Sequence, residues 1–154
     1  MENVAPQIRT NAFVVGVMAG ILGGILIDLF LIIATHANAI QVWQFIASGL
    51  VGSAAFTSTS FAWLGLALHF FTSIVFGVVY AYAAIGLRVL VRQPILSGLV
   101  YGVIVMIVMQ FVTAIVHLSP AGPPEARMII VGLTAHAVFF GLPVALYVAR
   151  KLTV

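Results

Sequence analysis

Four side chains break up long apolar stretches of this sequence with groups that can ionise or hydrogen-bond strongly: Asp28, His69, Gln110 and His136. A charged Asp or Lys at the centre of a membrane helix costs roughly 2.5–3.5 kcal/mol on insertion scales, so such groups need a physical reason to be there. Three chemistries fit them. Asp28, His69 and His136 make a two-histidine, one-carboxylate set, a pattern that holds a divalent metal with positions left open. The same groups suit a proton relay. His69 and His136 alone suit the two axial positions of a haem, and without a Cys-x-x-Cys-His sequence only a non-covalent b-type haem qualifies. The structural alternative is that they are glue, hydrogen-bonding between helices at about 0.6 kcal/mol on average and up to about 2.

His36, His117 and Glu125 form an outer group. The two histidines end the first and third apolar runs, where solvation accounts for them; a second outer site with Glu125 is the sharper reading. Cysteine is absent, which excludes disulfides, thiolate metal centres and iron–sulfur ligation. No GxSxG, HExxH or P-loop pattern occurs, so no standard catalytic constellation is visible and an enzyme is not indicated. Met106 and Met109 read as core residues rather than ligands.

These residues must be positioned by the apolar runs that carry them. The chain is 64% hydrophobic and 6% charged, with mean hydropathy +1.27, against about a quarter charged residues in a soluble domain. Helices and closed barrels alone satisfy the backbone in lipid, and unbroken apolar runs without period-two alternation select helices. The expected fold is an all-α integral membrane protein, a single domain over 1–154 built as a four-transmembrane-helix bundle. The expected spans are about 12–35, 61–85, 94–116 and 128–149, each long enough to cross roughly 30 Å of hydrocarbon. Residues 40–52 are expected as an interfacial segment, TSTS (57–60) as a cap for the second span, and Pro143 as a kink in the fourth. The first apolar run exceeds a signal-peptide h-region, which argues against a cleaved leader.

Arg9, Arg88, Arg92, Arg150 and Lys151 fall on one side of such a bundle and Arg127 on the other. The positive-inside rule then makes both termini cytoplasmic. Trp43 and Trp63 fit an outer aromatic belt, and Tyr80, Tyr82, Tyr101 and Tyr147 the inner half. The net charge of +3 is a topology signal and not a nucleic-acid footprint. In this frame Asp28 lies about 10 Å from the outer end of its span at 1.5 Å per residue, and His69, Gln110 and His136 fall in nearly the same layer. Spacings of four put Gly20, Gly24 and Asp28 on one side of the first helix. They do the same for Gly65, His69, Ser73 and Gly77 on the second, Gly98, Gly102, Met106 and Gln110 on the third, and Gly132 and His136 on the fourth. The expectation is an interior polar layer towards the outside. Gly16, Gly20 and Gly24 form a small-residue ladder for close packing.

The halves share a pattern. Gly16, Gly20, Asp28 and His36 match Gly98, Gly102, Gln110 and His117, and GLALH (65–69) matches GLTAH (132–136). The expectation is a parallel internal duplication of a two-helix hairpin about an axis along the membrane normal, with chance similarity of glycine-rich helices as the competitor. IASGLVGSAAF (46–56), LGLALHF (64–70), GLVYGVIVMIVMQFV (98–112) and residues 136–146 ending GLPVAL resemble an uncharacterised family of small bacterial four-span membrane proteins. In that pattern an Asn usually stands at the position of Gln110. The resemblance implies four spans and a bacterial inner membrane, and no activity.

The functional expectation is a non-enzymatic subunit or accessory component of a membrane assembly, with lipid and a homo-oligomer or larger complex as partners. The alternatives are a metal-, haem- or proton-handling protein working through Asp28, His69 and His136, and a small dimeric permease.

Overall fold

The computed structural model describes residues 4–115 and 126–152. Among them every regular element is helical. The order is α1 (Val4–Thr35), α2 (Ala39–Val51) running into a 3-10 turn (Gly52–Phe56), α3 (Ser60–Gly86), the short α4 (Val89–Arg92), α5 (Pro94–Ile115), and α6 (Ala126–Thr134). A π-helical turn (Ala135–Gly141) then leads into α7 (Leu142–Lys151). Helices α1, α3, α5 and the continuous α6–α7 rod cover the described residues expected as spans. Helix α1 starts well before residue 12, because nothing in its polar head breaks a helix after Pro6.

Among the described residues five helical segments are long and apolar enough to cross a membrane. The fifth is residues Ala39–Phe56, expected as an interfacial segment and the least apolar of the set. Surface and interior are distributed oppositely to a water-soluble protein. Most buried apolar residues are alanines, while Ile33, Trp63, Phe71, Phe111 and Ile130 stand outward at 65–72% exposure. In water such large side chains would be the first to be buried, at about 25 cal/mol per Å².

The small interior residues let helix backbones touch. A Cβ on Gly16 would sit 2.5 Å from Val78 Cα, one on Gly20 2.7 Å from Ile74 Cα, and one on Gly77 2.7 Å from Gly20 Cα. Residue numbers rise along α1 as they fall along α3, so the two helices are antiparallel and Thr35 and Ser60 lie at the same end. α5 and the last rod repeat this geometry. A Cβ on Gly98 would meet Leu142 Cα at 2.8 Å, one on Gly102 would meet Ala137 Cα at 2.6 Å, and one on Gly141 would meet Gly102 Cα at 2.7 Å. The hairpins join where Gly23 admits Phe140 and Val144 and where Phe30 stacks on Phe139 at 4.3 Å. On the opposite flank Tyr101 Oη donates to Phe76 O at 2.6 Å and packs edge-on against Tyr80, whose Oη donates to Leu90 O at 3.1 Å.

Several expectations are corrected. The glycine match of the first and third spans holds, but that of GLALH with GLTAH does not. Gly141 takes the place of Gly77, and the π turn inserts one residue before it. His136 therefore stands where Ser73 does, one turn away from the position equivalent to His69. Gly65 is pressed against the Trp43 carbonyl and lies near Ala47 N, whereas a Cβ on Gly132 would meet only Met106 Cε at 3.5 Å. The π turn is also how the rod accommodates Pro143, which lacks an N–H and crowds the carbonyl four residues back. TSTS makes no side-chain cap to α3: Thr59 is helical, and Ser60 N donates instead to Ser58 Oγ at 3.3 Å. The side-chain cap lies on α2, where Asn38 and Gln41 form a reciprocal capping box with both bonds at 3.0 Å. Tyr80 is fully buried and forms an internal cluster with Tyr101 rather than a belt.

Gly102→Leu is expected to destabilise the fold by about 3 kcal/mol or more, because the added carbons collide with backbone that cannot rotate away. Gly86→Ala, where nothing lies within 4 Å of the new carbon, is expected to leave stability unchanged or slightly raised. Unfolding of both variants in mild detergent checks the pair.

Candidate functional site

Three helices converge on Asp28. Gly24, one turn below it on α1, faces α3 so closely that a Cβ there would lie 3.2 Å from Ser73 Oγ and from Phe70. Gly65 does the same for α2, since it lets the Trp43 carbonyl rest on the α3 backbone. With both glycines in place, short side chains reach between backbones.

His69, 9% exposed on α3, places Nε2 3.0 Å from Gly24 O and 3.3 Å from Asp28 Oδ1. A carbonyl oxygen only accepts, so Nε2 carries the hydrogen in this arrangement. Asp28 is 7% exposed on α1. Its Oδ2 accepts from the Trp43 indole Nε1 at 3.1 Å. Its Oδ1 is within ion-pair distance of His69 yet takes no hydrogen bond. The two observations agree once the single Nε2 hydrogen is assigned to the nearer acceptor, Gly24 O. Phe70 closes one side of the imidazole edge-on at 5.3 Å.

The other expected members of the layer do not join this group. His136 Nδ1 is bonded to Gly132 O, one turn back on its own rod, at 2.8 Å. Among the described residues no group of three or more His, Asp or Glu could hold a metal ion. The two-histidine, one-carboxylate set is therefore brought together only as far as Asp28 and His69. For an axial haem role, His69 would have to release Nε2 from Gly24 O. Gln110 is exposed on α5 and not interior. Steps of four residues advance 400°, so each turns a helix face by about 40°. Three such steps from Gly98 carry Gln110 about 120° away from the glycine contact. Asp28 is displaced equally from Gly16, but α2 comes to meet it.

His36 is exposed and has φ 56°, the left-handed conformation that ends α1. His117 and Glu125, the other members of the expected outer group, lie outside the described residues. Sequence reasoning missed Trp43 as a site residue by assigning it to an outer belt. The available signal was chemical: a buried indole N–H finds an acceptor, and Asp28 is the sole aspartate in the chain. Gln44, whose Nε2 donates to Ser58 O at 3.1 Å, and Ser48, whose Oγ donates to Phe45 O at 2.6 Å, are further buried polar groups on α2 that went unnoticed.

Comparison with protein-family models, curated proteins and solved structures returned no match to this chain. The resemblance drawn above therefore rests on its glycine and apolar stretches alone.

The arrangement ranks the histidines. His69→Ala leaves Asp28 buried without its partner and is expected to cost about 1–3 kcal/mol. His136→Ala removes a bond within one helix and is expected to cost less than half of that. Trp43→Phe is expected to cost about 1 kcal/mol. Equilibrium unfolding in detergent gives the order; equal losses for the two histidine variants would contradict it.

Proposed function

We propose that this chain is an integral protein of the bacterial cytoplasmic membrane, crossing it four times with both termini inside, and that it works as a non-enzymatic component of a membrane assembly. The crossing number rests on chain direction. Because α1 and α3 are antiparallel and α2 joins their neighbouring ends, α2 leaves and returns on one side, and its apolar length covers the bundle instead of spanning. Charge supports the orientation. Arg88, Arg92, Arg150 and Lys151 lie towards one end, while Arg127 Nη2 reaches Ala34 O at the other, at 3.4 Å. The repeated glycine geometry of the two hairpins supports a duplicated unit.

The observation that carries the assembly reading is Gln110. Its side-chain amide stands outward on an apolar face between Ile107 and Phe111, which are 50% and 65% exposed. Among the described residues nothing hydrogen-bonds that amide. It lies five residues, about 7 Å, from the end of α5. An amide left without a partner in an apolar medium costs about 1–3 kcal/mol, and an amide on a neighbouring helix supplies both donor and acceptor. The Asp28 and His136 groups, by contrast, direct their hydrogen bonds to neighbouring helices and their own backbone.

The native chain lacks cysteine, so single cysteines report topology cleanly. His36→Cys and Ser58→Cys are expected to label from the outer side only and Gly86→Cys from the inner side only; opposite sides for 36 and 58 would make α2 a fifth span. Native protein in mild detergent or at low dilution in lipid is expected to associate with itself or a partner, and Gln110→Leu to weaken that association by about 1 kcal/mol. A native chain that remains alone under both conditions refutes the assembly reading.

A further inference from the structure

The geometry points to a proton-binding site at the Asp28–His69 pair: carboxylate and imidazole together take up one proton, beneath the cover of α2. This goes beyond the assembly reading and does not depend on it.

The first observation is the open acceptor. Asp28 is more than nine-tenths buried, and its Oδ1 has no hydrogen bond although His69 Nε2 is 3.3 Å away. The Nε2 hydrogen has a nearer acceptor in Gly24 O at 3.0 Å. A lone-pair-bearing oxygen thus faces an imidazole whose hydrogen on that side is already committed.

The second observation is the charge balance. With Asp28 ionised and His69 neutral the site carries one net negative charge. Among the described residues His69 is the only ion-pair partner of Asp28. Helix α2 brings no ionisable group, α3 brings only His69 before Tyr80, and α5 brings only Tyr101. The α6–α7 rod brings His136, held by Gly132 O but within electrostatic reach of His69, and Arg127, whose guanidinium is at Ala34 O. Ala34 is six residues from Asp28, about 9 Å along α1. Among the described residues no lysine or arginine neutralises the carboxylate at contact distance, and a buried charge without a partner is strongly disfavoured. One added proton makes the pair neutral on whichever atom it rests. A metal would need a third ligand that the described residues do not assemble; a proton needs none.

The third observation links the proton to α2. Trp43 Nε1 donates to Oδ2 of the same carboxylate at 3.1 Å. A neutral carboxyl accepts less strongly than a carboxylate, so a proton on Asp28 loosens the contact that anchors α2 over the site.

The test uses Asp28 as the chain's only aspartate. The full chain is labelled with carbon-13 at the aspartate carboxyl, placed in lipid nanodiscs and titrated from acid to alkaline pH by NMR. The expected result is one carboxyl resonance moving along a single one-proton curve, with the Trp43 indole N–H following the same midpoint. In His69→Gln the midpoint is expected to shift by about one pH unit or more. A carboxyl resonance that stays fixed throughout overturns the proposal, as does a midpoint that His69→Gln leaves in place. Where that variant fails to fold, the His69 ring nitrogens of the native chain carry the same test: a common curve supports the shared proton, and an independent one overturns it.

Discussion

Where Gly20 meets Gly77, two helices touch through their backbones with no side chain between them. In an apolar solvent there is no hydrophobic gain from bringing helices together, so association depends on close van der Waals contact and on polar groups that reach across. Both need short distances, and glycine supplies them. The same three-glycine contact recurs between α5 and the last rod, so one packing solution serves twice. Large side chains are left to face outward, where a lipid environment would accept them. Alanine fills most of what interior remains, which explains why so apolar a protein has so small a core.

The polar site follows from this closeness. His69 can reach the carbonyl of Gly24 on a different helix only because that stretch of α1 and α3 is in near contact. A helical carbonyl already bonded within its own helix retains a second lone pair, and His69 uses it. Gly65 performs the same service for α2, bringing Trp43 to the free side of the Asp28 carboxylate. A side chain at Gly65 would collide with the Trp43 backbone and lift α2, and one at Gly24 would press on Ser73 and Phe70. Packing and polar chemistry are thus one arrangement: the residues that lack side chains place those whose side chains can act.

Much of this was legible in residue types and spacing. Apolar length marked α1, α3, α5 and the last rod, and the i+4 run Gly65, His69, Ser73, Gly77 correctly gave the buried face of α3. What failed has identifiable causes. Counting by fours ignores a drift of about 40° per step, which is how Gln110 was assigned to the interior. Matching GLALH to GLTAH assumed unbroken α-helix, and the π turn upstream of Pro143 displaces His136 by one turn. Trp43 was read from residue statistics at membrane interfaces, yet its indole N–H answers the demand of a buried carboxylate. That demand arises from tertiary contact and has no local signature.

The two hairpins also differ in a way that bears on function. On one flank α1 and the last rod close through Phe30, Phe139 and Phe140, with Gly23 making room. On the other, α3 and α5 stand apart, held by the Tyr101 bond to Phe76 O, and a lateral groove of about 240 Å³ lies there between α3, α4 and α5. Helix α2 has no counterpart in the second hairpin among the described residues. It lies on α3, and Gly49 brings it beside the Thr113 methyl of α5. It thus covers, towards the Thr35 and Ser60 end, the flank that α3 and α5 leave open. Asp28, His69 and Trp43 meet beneath that cover. In the second hairpin the glycine contacts recur, and His136 bonds within its own helix. Where α2 packs on the first hairpin, a carboxylate, an imidazole and an indole come into contact. The difference between the two hairpins and the chemically capable site therefore coincide, and α2, through Trp43, completes the site.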